Sequence, residues 1–380
     1  MGPLQLSSAT FASAAEGRRN NFDFLRFLFA SLVLFYHCFG LLPGDEPGRG
    51  GTVEQAATLG GGGSVDFFFV ISGFLVTMSW QRSAGVWSFL RKRAGRIYPG
   101  FFLASAACAF VAGPLGADSA AAYWRHFQFL KFALYLFLLP ADVVGPDMAH
   151  VFTHLPFQGV INGSFWTLRY EFEMYLLVAA FGALGLFRRE RLPWVGAMFL
   201  LLYALFAVSQ AAHLAVAPDR EIPWVGNPAA WLRLLACFLS GMMFYLYRDR
   251  IPASPALFGL TLLLLLLAGQ RPEWFNAALP VFGSYALFFF AFQPWIRLQR
   301  FARYGDFSYG MYLYAFPIQQ LLILHFEAHL TPFRLLAAAF PLTLLCAVVS
   351  WHLVERPCLA LGRNSPPSRG HEAPDQTNLT

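Results

Sequence analysis

Asn21-Phe-Asp-Phe-Leu-Arg26-Phe-Leu-Phe-Ala-Ser-Leu-Val-Leu-Phe-Tyr-His37 opens the first long apolar run of the chain. The run continues to about residue 42, and a membrane-spanning helix needs about 20 mostly apolar residues. Yet it carries an arginine and a histidine. His37 follows Arg26 by eleven positions. Eleven steps of about 100° come within roughly 20° of whole turns, so both side chains leave one helix face, about 16 Å apart along the axis. Ionisable groups inside a membrane are costly and are functional candidates by default.

The rest of the chain has the same character. Of 380 residues, 57% are hydrophobic and only 13% charged, against about 25% charged in soluble proteins. With 42 phenylalanines and a mean hydropathy of +0.51, the bilayer must be the main solvent. The net charge of +6 sits in short clusters flanking apolar runs. That is the look of cytoplasmic loops and not of a nucleic-acid surface. No nucleic-acid partner is expected.

Further spans are expected at about 63–81, 97–116, 166–187, 194–214, 229–247, 255–270, 275–296, 307–327 and 333–354. An additional apolar stretch, 123–140, contains Arg125, His126 and Lys131. If it crossed, the clusters Arg188-Arg189-Arg191, Arg248/Arg250 and Arg297/Arg300/Arg303 would all lie outside, against the positive-inside rule. It is therefore expected to be an interfacial or re-entrant helix. The fold predicted is all-α and polytopic, with about ten transmembrane helices and this extra helix in an outer loop, 117–165. Both termini, including Arg18-Arg19, would be cytoplasmic, in a cell inner membrane. Residues 1–20 form a polar tail, 21–360 the transmembrane domain, and 361–380 a disordered tail.

Five cysteines in or beside apolar segments, with no CxxC, suggest neither disulfides nor zinc. His150 and His154 have helical spacing in a poor helical context, so no metal is expected. Asp23 lies one turn before Arg26 and can pair with it. Arg26 alone also fits an interfacial anchor, and His37 a hydrogen-bonded structural histidine. Span two reads Gly60-Gly-Gly-Gly63-Ser64-Val-Asp66, then Phe-Phe-Phe-Val-Ile-Ser72-Gly73. Ser72 and Gly73 are small enough for close helix packing. Arg91-Lys92-Arg93 and Arg96 form a basic cluster that sets topology and can also grip phosphates. The fourth span begins Trp166-Thr-Leu-Arg169-Tyr-Glu171-Phe-Glu173. If Arg169 pairs with Glu173, Glu171 is left near the depth of His37, and a His–Glu pair is a plausible general-base unit.

Six motifs in order resemble the acyltransferase family 3 membrane proteins. This family includes O-antigen, exopolysaccharide and nodulation-factor O-acetyltransferases. The motifs are Asp23/Arg26 with His37; Val65-Asp66 to Ser72-Gly73-Phe; Arg93-x-x-Arg96-Ile-Tyr-Pro99; Trp166-Thr-Leu-x-x-Glu171-x-x-Met-Tyr175; Ser308-Tyr309-x-x-Tyr312-Leu313; and Glu355-Arg356-Pro357. The resemblance implies a membrane O-acyltransferase using acetyl-CoA or another acyl-CoA as co-substrate, without a metal. Arg26, Arg93 and Arg96 would hold the cofactor's phosphates, and His37 and Glu171 would serve catalysis. Asp23, Asp66, Ser72, Gly73, Trp166 and Tyr309 would support them. The acceptor would be a carbohydrate or glycolipid, modified at a hydroxyl on the extracytoplasmic side. One departure is Ala315, where members often carry histidine. The alternative function is a secondary transporter or flippase of a glycan or lipid-linked intermediate.

Overall fold

The computed structural model describes residues 10–11, 20–42, 52–139, 150–211, 222, 226–293, 296–326 and 329–363. Arg18, Arg19 and most of both expected tails lie outside them. Helices run Phe22–Gly40 (α1), Thr52–Gln81 (α2), Val86–Gly116 (α3), Ala120–His126 (α4), Phe129–Leu138 (α5) and Trp166–Ala183 (α6). They continue as Leu192–Ala211 (α7), Pro228–Leu246 (α8), Pro255–Ala268 (α9), Pro272–Ala291 (α10), Ser308–Phe326 (α11) and Pro332–Ser350 (α12), the last prolonged through Arg356–Arg363. Among the described residues no β-strand forms, only isolated single-residue bridges.

Every expected span coincides with a helix. Seven of them, α1, α2, α3, α7, α8, α10 and α12, are long and apolar enough to cross a bilayer. The other three fall short for visible reasons. Helix α6 carries Arg169, Glu171 and Glu173, α9 has 14 residues, and α11 is diluted by Gln319, Gln320 and three tyrosines. Large apolar side chains such as Trp194, Leu201, Leu266 and Leu345 face outward, more than half exposed, as a lipid-solvated surface requires.

Local sequence explains several helix starts. Asn227-Pro228, Ser254-Pro255 and Thr331-Pro332 each place a capping side chain before a proline at the first helical position. Each capping oxygen accepts a backbone N–H three residues on, from Ala230, Leu257 and Arg334. Helices α3, α10 and α12 each contain a five-residue π segment, at Cys108–Ala112, Leu279–Gly283 and Trp351–Glu355. Such bulges bend a helix and re-aim its side chains.

The expected second span begins earlier than its glycines suggest. Helix α2 starts at Thr52, so Gly60–Gly63 lie inside it. A Cβ on Gly61 would sit 2.1 Å from Tyr36 Cβ, and one on Gly63 3.2 Å from the Phe275 ring. The glycines admit neighbours; they do not end the helix.

The stretch 123–140 is split into α4 and α5. Ten residues of α5 rise only about 15 Å. Phe132 packs on Phe110, Phe137 packs on Phe102, and Tyr98 donates a hydrogen bond to Phe137 O at 3.0 Å. From Phe110 to Tyr98 is twelve residues, about 18 Å along α3. Helix α5 therefore runs back alongside α3.

Helix ends gather by charge. Asn21 N–H bonds Ala291 O, joining the start of α1 to the end of α10. Tyr245 donates to Gln81, joining the ends of α8 and α2, and Gly182 at the end of α6 abuts Trp80. The arginine-rich connections at 188–191, 248–250 and 297–303 thus all leave from one end of the bundle.

Candidate active site

Helices α1, α2, α3, α6, α11 and the end of α12 line a cavity of about 600 Å³. One stripe of α2, continued by Arg82 just past its end, lines it from end to end: Val65, Phe68, Ser72, Val76 and Ser79. These fall every three or four residues, so they share a helix face. From Arg82 to Val65 the stripe covers about 25 Å.

Charge is graded along that length. Five cations, Arg26, Arg82, Lys92, Arg93 and Arg96, line the cavity against two carboxylates, Glu171 and Asp306. Asp306 Oδ2 accepts from Arg96 at 2.6 Å and faces Arg26 at 3.0 Å, while its other oxygen accepts from Ser308. Burial pushes the Asp306 carboxyl upward, but the two guanidiniums and the hydroxyl outweigh it and hold it below the usual carboxylate range. Arg26 also pairs with Asp23, as its spacing implies. Arg93 is different: like Arg26 it has a buried Nε without a hydrogen-bond partner, but among the described residues it pairs with no carboxylate, and its guanidinium lies over the Tyr175 ring at 5.8 Å. Of the expected phosphate-binding trio, two arginines are partly neutralised and Arg93 keeps donors to spare.

Deeper in, Glu171 Oε1 accepts from Tyr175 at 2.5 Å and from Ser72 at 3.4 Å. Tyr312 and Thr167 share a hydrogen bond of 2.7 Å on the same wall. Tyr309 donates to Ile97 O at 2.9 Å, and Arg96 lies over its ring. Ser72 therefore faces the cavity, whereas Gly73, its neighbour in sequence, packs: a Cβ there would lie 1.9 Å from Phe238 O of α8.

His37 is not among the cavity-lining residues. Its ring meets Phe316 edge-on at 5.3 Å, and its Nδ1 is buried without a hydrogen-bond partner. Phe316 is one turn beyond Tyr312 on α11, so the imidazole sits just past the end of the cavity opposite its cations. It forms no hydrogen bond with Glu171. Arg26 and Glu171 are brought into one cavity; His37 is placed beyond it.

The supporting residues divide further. Asp66 is 1% exposed and faces Arg233 of α8 at 3.6 Å, away from the cavity. Trp166 packs on Tyr170 at the start of α6. Arg169 does pair with Glu173, whose second oxygen accepts from Trp231. Ala315, the departure from a family that often carries histidine there, is buried. The sequence left Arg82, Arg233 and Asp306 without roles. Arg82 was discoverable from helix periodicity, since it continues the Val65–Ser79 stripe. Among the described residues no group of three His, Cys, Asp or Glu side chains could hold a metal.

The cavity thus runs from a cationic mouth to a half-buried carboxylate, Glu171. The profile of the acyltransferase domain matches residues 19–352. The chain belongs to this acyltransferase family and is an acyltransferase. It is 31% identical over 357 residues to an O-acetyl transferase of Shigella phage Sf6, covering 92% of this chain and 98% of that one. It is 29% identical over 376 residues to Nodulation protein 10 of Rhizobium leguminosarum bv. viciae, covering 91% and 95%. A third relative is the exopolysaccharide production protein ExoZ of Rhizobium meliloti, 36% identical over 147 residues, 38% of this chain and 41% of that one. No solved structure matches.

Proposed function

We propose that the protein transfers an acetyl group from cytoplasmic acetyl-CoA to a hydroxyl of a carbohydrate or glycolipid on the extracytoplasmic side of the inner membrane. The observation that carries this is the graded cavity: five cations at one end, and about 25 Å of mostly apolar wall leading past Glu171. Arginine grips phosphate with two-point contacts, and an acyl-pantetheine arm needs a long, narrow, largely apolar path. The relatives' names, O-acetyl transferase and exopolysaccharide production protein, agree with an acetyl donor and a sugar acceptor.

In this proposal all ten expected helices cross, with both termini in the cytoplasm. The arginine-rich connections leave one end of the bundle, and the positive-inside rule assigns that end to the cytoplasm. Arg93 grips the donor's phosphates with Arg26 and Arg96. His37 takes the proton of the acceptor hydroxyl, and that oxygen attacks the thioester carbonyl. The carbon–sulfur bond breaks, coenzyme A leaves as the thiol with the proton returned by His37, and an ester remains on the sugar. Glu171 acts from the cavity wall, balancing the charge of the imidazolium through space. General acid–base groups of this kind contribute about 10²–10⁴-fold.

The test is acetyl-CoA-dependent O-acetylation of surface glycan in cells carrying His37→Ala. Loss of acetyl ester, measured by mass spectrometry against wild-type cells, is expected. Undiminished acetylation overturns the assignment.

A further inference from the structure

Three polar atoms lie buried without partners beyond the cavity's outer end: His37 Nδ1, Gln319 Oε1 and Gln320 Oε1. Both glutamines are 0% exposed. They follow Tyr309, Tyr312 and Phe316 along α11, the first two on the cavity wall and the third against His37. Gln319 donates to Leu34 O at 2.9 Å and touches Cys38 Sγ at 3.1 Å, so its amide is tied to the turn of α1 that carries His37. Gln320 donates to Phe157 O and Val160 O, at 3.2 and 3.1 Å, and so ties the outer connection to α11.

Each glutamine spends its donor on the backbone and keeps its acceptor free. Buried polar groups are nearly always partnered in folded proteins, and exceptions call for an explanation. Amide oxygens and the unprotonated nitrogen of an imidazole all accept from an O–H. A guest rich in hydroxyls suits such a set; an apolar guest would leave every one of the three unpaired.

We propose that the seam between α1 and α11 is the acceptor subsite, and that it takes a polyhydroxylated, carbohydrate-type acceptor. Gln319 Oε1 accepts from a hydroxyl next to the reacting one and so holds the reacting oxygen toward His37. Gln320 supports the subsite by fixing the outer connection. This rests on the acyl-transfer proposal and adds the residues that recognise the sugar.

The experiment uses the full chain in lipid nanodiscs with acetyl-CoA and surface polysaccharide extracted from cells lacking the protein. Gln319→Leu should raise the acceptor KM about tenfold, the worth of one lost hydrogen bond, and leave the acetyl-CoA KM unchanged, while the loss of its bond to Leu34 O lowers the thermal midpoint modestly. Gln319→Glu, whose un-ionised carboxyl keeps a carbonyl oxygen in place, should recover part of the loss. An unchanged acceptor KM in Gln319→Leu overturns the subsite, as does a parallel loss of stability and of affinity for both substrates. If wild-type protein transfers no acetyl group, the acyl-transfer proposal itself fails. If wild type and Gln319→Leu transfer equally, only the subsite fails.

Discussion

Arg96 on α3 donates to Asp306, 210 residues away in sequence, across 2.6 Å. The same carboxylate oxygen faces Arg26 of α1 at 3.0 Å. One anion therefore pins the start of α1 and the third turn of α3 to the segment leading into α11. Without it two guanidiniums would face each other in a partly buried site.

Asp306→Asn should accordingly destabilise the bundle. Removing one partner of a buried ionic cluster costs about 3–5 kcal/mol. The folded-state carboxyl is held below its ordinary range, so its contribution is full above about pH 4. It is lost only as pH falls toward and through the folded value. Thermal unfolding in detergent should show a lower midpoint for Asp306→Asn at pH 7, with the gap to wild type narrowing in acid. A gap that stays constant from pH 7 to pH 3 would contradict the assignment.

Gly73 of α2 and Gly241 of α8 sit at a close crossing of the two helices. A Cβ on Gly73 would meet Phe238 O, and one on Gly241 would meet Val70 O, each at 1.9 Å. Backbone atoms cannot move aside as a flexible side chain can, so Gly73→Val must push α2 and α8 apart. Overpacking of this kind costs about 1–3 kcal/mol or more. The expected outcome is reduced yield of folded protein and a lower thermal midpoint. Gly62→Ala, where nothing lies within 4 Å of the added atom, should be tolerated in the same assay.

Much of this architecture was legible because apolar run length and cation placement are one-dimensional signals. The apolar helices, the additional helix within 123–140 and the Asp23–Arg26 pair were all expected from such signals. Contacts that depend on azimuth around a helix were not legible. His37 and Glu171 lie at similar expected depths, yet they do not hydrogen-bond, because depth does not say which way a side chain points. Asp66 finds its counter-ion in Arg233, an arginine inside an apolar run whose partner is 167 positions away. The glycines at 60–63 looked like a boundary, yet Gly61 and Gly63 admit Tyr36 and Phe275, and the sequence does not show neighbours.

Glu171 offers a way to separate chemistry from packing. Its Oε1 accepts from Tyr175 and Ser72, and Glu171→Gln keeps an acceptor oxygen of the same reach. A purely structural carboxylate would tolerate that change. A group that supplies negative charge to the reaction would not, and kcat should fall by about 10²-fold or more, with the acetyl-CoA KM little altered. Tyr175→Phe removes one donor and keeps the charge, so its kcat should fall far less. Steady-state kinetics of the purified pair decides between the two roles.

Arg93 and Arg96 sit three residues apart on α3, but their surroundings predict different phenotypes. Arg96 is committed to Asp306, whereas Arg93 has a buried Nε with no partner and so keeps donors for a phosphate. Charged hydrogen bonds are worth about 1.5–3 kcal/mol, which converts to roughly 10- to 150-fold in affinity. Arg93→Gln should raise the acetyl-CoA KM by that order and leave the thermal midpoint near wild type. Arg96→Gln should lower the midpoint as well, since it strands Asp306. Added salt should weaken donor binding more in wild type than in Arg93→Gln, because the contact being screened is already gone in the variant. Equal KM values for Arg93→Gln and wild type at low salt would remove Arg93 from the donor site.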